Sequence, residues 1–192
     1  MEQRTGEVAA RRLPPGSHGI PADVVARNQR ERLVAAMAEV CAEQGYAEAT
    51  VAAVAKRAGV SSLTFYKQFA DKRDCMLAAH RQLLGRLLEE VDQASDGGRS
   101  EVGPHAVLHT ALEIFAADPP SARLLTVEIL AAGPEGARRH DAMVEAFAER
   151  LDTDWVRAAG MLALVGKLVV ADEADRLSEL EDELVATLWA QS

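Results

Sequence analysis

Apolar residues recur every three to four positions through nearly the whole chain, and no segment alternates apolar and polar residues between turn signals. Side chains three and four apart share one face of an α-helix, whereas a half-buried strand needs a period of two. Ala, Leu, Glu and Arg, which tolerate the helical backbone well, dominate throughout. The pattern predicts an all-α fold of about nine helices.

The helix boundaries follow from caps and breakers. Leu33, Met37, Val40 and Cys41 form the stripe of a helix over 24–44, which Gly45 ends. Thr50 caps a short helix over 51–58, Gly59-Val60-Ser61 makes a turn, and residues 62–69 form a second short helix. Asp71 caps a longer helix reaching 87–91, with Met76, Leu77, Leu83, Leu84 and Leu87 as its apolar positions. After a loop at 95–100, helices are predicted over 105–117, 119–131, 134–151 and 155–170, and a last one from Asp172 to about Ala190. Leu13-Pro14-Pro15-Gly16 forbids a helix near the start, so residues 1–22 read as an extended arm.

A chain of 192 residues, 48% hydrophobic, is ample for a buried core. Gly and Pro together number 20, which excludes collagen-like and low-complexity readings. No apolar run approaches the roughly 18 residues of a membrane span, and the first 30 residues lack the pattern of a signal peptide. Two cysteines, Cys41 and Cys75, are too few for a disulfide framework. A soluble, cytoplasmic protein is expected. The net charge of −9 hides a split: residues 1–80 hold 11 Lys/Arg against 9 Asp/Glu, while residues 81–192 hold 10 against 21. Between Val51 and Arg73 five basic residues (Lys56, Arg57, Lys67, Lys72, Arg73) meet one acid, Asp71. A short positive surface on an acidic body suits nucleic acid as a partner.

Two short helices joined by a Gly-containing turn make a helix-turn-helix. Gly59 supplies the left-handed conformation that a tight turn needs, Val60 packs inward, and the small Ala55 and Ala58 let the helices approach. Phe65 and Phe69, at i and i+4, share the inward face of the second helix. Ser61, Ser62, Thr64, Lys67 and Gln68 are left outward, with Tyr66 at the edge, a set of hydrogen-bonding side chains suited to a DNA groove.

The stretch GYAEATVAAVAKRAGVSSLTFYKQFADK, from Gly45 to Lys72, resembles the TetR family of one-component transcriptional regulators. The match rests on Gly45-Tyr46, Thr50, Val54-Ala55, Ala58-Gly59-Val60-Ser61, Thr64, Tyr66, Phe69 and Lys72, and it is strongest over residues 27–84. Beyond that segment the likeness is one of helix count and length. The resemblance implies a helix-turn-helix DNA-binding domain over 23–72 and a helical ligand-binding and dimerisation domain over 73–192. It further implies a repressor released from a palindromic operator by a small-molecule effector, with no enzymatic activity and no cofactor. Thr50, Tyr66, Lys72 and Thr64 correspond to family positions that contact phosphates; Ser62, Leu63, Lys67 and Gln68 occupy base-facing ones. Lys67 suits guanine and Gln68 adenine in the major groove. Leu63 stands where the family commonly has a small residue, so it either meets a thymine methyl or shifts the docking.

Other features admit two readings each. Arg11 and Arg12 lie either in a minor groove or in an untethered tail. His105, His109 and Glu113 line one helical face, as metal ligands or as edges of the core stripe Leu108, Leu112 and Phe115. Cys41 and Cys75 are inert buried thiols or, for Cys75 near Lys72 and a helix start, a thiol of lowered pKa. Phe115, Glu128, Met143, Phe147 and Trp155 line an effector cavity or fill the core. The helix over 155–170 carries only Arg157 and Lys167 as charges, with Gly160, Ala163 and Gly166 for close approach. Leu177, Leu180, Leu184 and Leu188 form a stripe on the last helix. The resemblance has these two helices pair with their twins in a homodimer; burial within the protomer is the other solution. Two rival functions stand beside this one. An all-α small-molecule-binding protein or enzyme without DNA reading would need a convergent site, and none appears beyond His105 and His109. A protein-interaction module would use the basic segment against an acidic partner.

Overall fold

The structure, a computed structural model, describes residues 21–96 and 103–189. Among them are nine α-helices and two 3-10 turns, with no strand: α1 (Ala22–Glu48), α2 (Val51–Arg57), α3 (Ser62–Gln68), α4 (Lys72–Asp96), α5 (Pro104–Ala117), α6 (Pro119–Thr126), a 3-10 turn at Glu128–Ala132, α7 (Pro134–Arg150), α8 (Trp155–Val170), a second turn at Ala174–Leu177, and α9 (Glu181–Leu188). The predicted arm, Arg11 and Arg12 included, lies outside the described residues except for Pro21, which precedes α1, and Ala22.

Two apolar cores form. The first gathers Leu33, Met37, Val40 and Cys41 of α1, Val54 of α2, Phe65 of α3, Phe69 and Met76, and it is closed by Leu124 and Ile129 from α6 and its 3-10 turn. The second gathers Leu87, Leu108, Phe115, Met143, Phe147, Leu162 and Leu184. Leu83 packs on both, so α4 runs from one core into the other as a shared beam. The α1 stripe read from the sequence is therefore the one that buries. Gly45 breaks α1 as expected, at φ +77, which a residue with a Cβ adopts only with strain.

The structure corrects three sequence expectations. α4 continues to Asp96, taking Ser95 and Asp96 out of the predicted loop. The helix expected over 119–131 stops at Thr126, where Val127 (φ −121, ψ −60) leaves the helical region and a 3-10 turn follows. Here α8 crosses closely: a Cβ on Gly166 would lie 2.9 Å from Val127 and 3.2 Å from Thr126. Gly166 thus serves packing inside the protomer rather than between protomers. The last helix is also split. Asp172 (φ +60) ends the α8 segment in a left-handed conformation. α9 starts only at Glu181, where three acids in the first turn favour the positive end of the helix dipole. Its end is fixed because Thr153 and Arg157 donate to Leu188 O (3.0 and 3.3 Å) and Trp189 donates to Leu151 O (2.9 Å). Leu177, Leu184 and Leu188 are consequently buried in the protomer's own core.

Candidate nucleic-acid interface

α2 and α3 are each begun by a hydroxyl. Thr50 Oγ1 accepts the Ala53 N–H at 3.1 Å, and Ser61 Oγ accepts the Thr64 N–H at 3.1 Å. Both bonds satisfy first-turn donors that have no partner within the helix. Between them Gly59 takes φ +64, and Arg32 donates across the turn to Ala58 O. Arg57 donates to Glu39 (2.9 Å) and Glu43 (2.7 Å), pinning α2 to α1 and holding the guanidinium charged. Arg57 is therefore spent on a neighbour, while Lys56, Lys67 and Arg73 remain exposed.

α3 is anchored from behind. Phe65 and Phe69 are buried with ring centroids 5.6 Å apart. The Arg30 guanidinium sits 4.2 Å over the Phe69 ring and donates to Gln68 O at 2.8 Å. The opposite face presents Ser62, Leu63, Tyr66 and Lys67, with Leu63 68% and Tyr66 57% exposed. Of the other expected residues, Thr50 and Ser61 are exposed at the two helix starts, and Thr64 and Gln68 are half-buried at the margins.

Lys72 has a structural role that spacing did not reveal. Its ammonium donates to Tyr46 O (2.8 Å) and Ala47 O (3.2 Å) and lies 4.4 Å over the Tyr46 ring. Two of its three donors are thereby used within the fold. Arg30 and Arg32 were missed as well: they fall off the apolar stripe of α1 because they reach sideways to α3 and the turn.

The expected effector-site residues separate. Phe115, Met143 and Phe147 converge in the second core, with the Phe115 and Phe147 rings 6.2 Å apart. Trp155 stands on the surface, 46% exposed. Glu128 lies elsewhere, buried against the first core, with Oε1 accepting from Arg123 (2.9 Å) and Oε2 from the Tyr46 N–H (2.7 Å). His105 packs on the Trp189 ring at 4.3 Å, while His109 sits between Glu181 (2.8 Å) and Glu113 (3.4 Å). The hydrogen bond to Glu181 raises the His109 pKa. Among the described residues no group of three or more His, Cys, Asp and Glu side chains is arranged to hold a metal ion. Both thiols are buried, and burial drives the pKa of Cys41 up to about 12 and that of Cys75 upward also, so proximity to a helix start does not activate Cys75.

On α8, Val156 (73% exposed), Gly160, Ala163, Lys167 and Val170 (51%) form one exposed stripe with a single charge. Beside it α8 and α9 enclose a groove of about 380 Å³, lined by Val156, Gly160, Leu164, Leu180, Leu184 and Thr187 among others. No helix among the described residues is long and apolar enough to cross a membrane.

Residues 33–79 match the family model described as bacterial regulatory proteins, tetR family. Over 62 residues the chain is 32% identical to the fatty acid metabolism regulator protein of Bacillus subtilis (strain 168), covering 32% of each chain. Over 63 residues it is 44% identical to the HTH-type transcriptional regulator BetI of Stenotrophomonas maltophilia (strain R551-3), covering 33% of this chain and 32% of that one. The matched segment thus spans about a third of the length of these curated relatives. The whole fold superposes on the FadR of Bacillus subtilis crystallised with stearoyl-CoA, with TM-score 0.68 and 19% identity over 84% of this chain and 98% of that one.

Proposed function

We propose that the chain is a sequence-specific DNA-binding transcriptional regulator: residues 33–79 match the model of bacterial regulatory proteins, tetR family, and the fold resembles that of the FadR of Bacillus subtilis. It acts in the cytoplasm as a homodimeric repressor that a small-molecule effector releases from a palindromic operator, with no catalytic activity of its own. The observation that carries this reading is the outward face of α3, Ser62, Leu63, Tyr66 and Lys67, exposed on a helix that Phe65, Phe69 and Arg30 hold from behind. A helix so fixed can enter a major groove without ordering itself first. Ser62, Leu63, Lys67 and Gln68 read bases; Thr50, Thr64, Tyr66 and Lys72 position the helix on phosphates, with Ser61 beside them on the DNA side.

Residues 23–72 make the DNA-reading unit and residues 73–192 the effector and dimer unit, joined through α4. The effector binds among the helices around Phe115, Met143 and Phe147, and two protomers meet through α8 and α9, where the exposed stripe and the groove support the pairing. Effector binding then favours a state in which the two reading helices are wrongly spaced, which requires unequal affinity for the two states. The test is selection of random duplex DNA by the purified protein, followed by sequencing of the bound pool. A palindrome with half-sites about one helical turn apart is the expected result, and it supplies the operator for effector trials, beginning with stearoyl-CoA. An unenriched pool from folded protein would overturn the reading.

A further inference from the structure

The buried carboxylate of Glu128 stands where the two units meet, and it holds one peptide. Its Oε2 accepts the N–H of Tyr46 at 2.7 Å, and its Oε1 accepts Arg123 Nε at 2.9 Å. Arg123 in turn donates from Nη1 to Ala42 O at 2.9 Å, in the last turn of α1 before its break. The break itself is Gly45, at φ +77 and ψ 156, and a Cβ placed there would lie 3.8–4.0 Å from the two Glu128 oxygens. The pair therefore grips α1 on both sides of a glycine hinge. From the opposite side α4 holds the next groups along, Lys72 Nζ bonding Tyr46 O and Ala47 O. Thr50, four residues after Tyr46, caps α2, so the gripped peptide lies one short turn ahead of the reading helices.

On its input side Glu128 directly follows Thr126 and Val127, the two residues on which α8 packs at Gly166. Displacement of α8 against α6 would thus reach Glu128 directly through its neighbour Val127. A buried ion pair contributes little net stability compared with an apolar replacement, but it imposes geometry, because each lone pair must meet its donor. We infer that Arg123 and Glu128 are positioning residues for DNA reading: they fix the angle of the α2–α3 unit on the effector unit, and a change along α6 and α8 is transmitted through them to the hinge at Gly45. The inference rests on the reading of the chain as a regulator, and it concerns residues that touch neither DNA nor effector.

The experiment separates the two claims. Nitroxide labels on Lys56→Cys of α2 and Glu145→Cys of α7 report the angle between units, since both sites are exposed and the native thiols are buried. Labelled full-length chain is diluted in excess unlabelled chain, so that one labelled protomer is observed whatever the oligomeric state. The parent gives one narrow interspin distance. Glu128→Ala broadens or shifts it, and Glu128→Gln, which keeps an acceptor for the Tyr46 N–H, restores most of the narrowness. Should Glu128→Ala fail to fold because Arg123 is left unpaired, the double variant Arg123→Gln/Glu128→Gln decides by the same readout. A folded variant with an unchanged distance distribution overturns the proposal. On the selected operator, Glu128→Ala should reduce the preference for the native half-site spacing about tenfold, within the usual range of site-to-site coupling. A defect in stability alone would weaken all spacings equally. If the parent chain selects no DNA, the regulator reading fails there, and the distance measurement still decides whether the pair sets the angle.

Discussion

Arg30 and Phe69 together lock the far end of α3: the guanidinium lies 4.2 Å over the ring, and the same group donates to the carbonyl of Gln68, the last residue of the helix. The contact does two things at once. It satisfies a carbonyl that the helix end leaves without an internal partner, and it places a charge where the ring quadrupole attracts it. Arg30→Met keeps the aliphatic packing and loses both. The expected loss is about 1–2 kcal/mol in urea unfolding, with operator affinity lowered beyond what the unfolded fraction explains. An unaltered operator affinity in the folded variant would show that the lock is unnecessary for reading.

The α3 face predicts different signatures for neighbouring side chains. Lys67 is exposed at the centre of that face, so Lys67→Ala should relax preference at particular bases while leaving the salt dependence of non-specific binding nearly intact. Tyr66→Ala should weaken binding to every sequence. Lys72→Ala should do so too and lower the slope of log affinity against log salt by about one. The bonds from Lys72 to Tyr46 O and Ala47 O add a further consequence, a fall in thermal stability that Lys67→Ala does not share. A uniform loss across sequences for Lys67→Ala would remove it from the base-reading set.

How much of this was open to sequence reasoning depends on how local the cause is. Thr50, Gly59, Ser61 and the Phe65/Phe69 pair could be read directly, because caps, a left-handed turn and an i, i+4 pair are decided within a few residues. The stripe Leu177, Leu184, Leu188 was legible as apolar, but its destination was not: apolarity says that a face is covered, not by which neighbour. The interruption of α6 at Val127 was illegible because no local breaker marks it, and the residue packed against it, Gly166, lies on another helix. Arg123 and Glu128 were least accessible of all. Their partners Ala42 and Tyr46 lie 81 and 82 residues away, and a backbone group as partner leaves no trace in side-chain pattern.

His80 makes stability depend on pH. It is 1% exposed on α4, its Nε2 has no hydrogen-bond partner, and burial, with Arg139 and His140 of α7 adding to it, lowers its pKa to about 4. In the unfolded chain it titrates near its ordinary value of 6.5. Between these values the unfolded state binds more protons, so stability rises with pH through that window and falls as the solution is acidified. The group contributes a loss of about 2–3 kcal/mol between pH 7 and pH 4. Urea unfolding across this range should show a steeper decline for the parent than for His80→Leu, which has nothing to protonate there. Parallel profiles would mean that His80 is solvated or partnered in solution.

The stripe on α8 gives the sharpest test of assembly. A Cβ on Gly160 meets no atom within 4 Å, and Gly160 lies on the exposed face with Val156 and Ala163. Gly160→Glu therefore disturbs nothing inside the protomer and replaces a poor helix former by a better one, so the isolated fold should be unchanged or firmer by up to about 1 kcal/mol. Against a twin copy the outcome reverses. A two-fold interface places the same patch on both sides, so each introduced carboxylate would lose solvent and approach its counterpart. Sedimentation velocity should find the parent dimeric at micromolar concentration and Gly160→Glu monomeric, with operator affinity reduced because one protomer reads a single half-site. A Gly160→Glu protein that remains dimeric and binds its operator normally would place the interface away from α8.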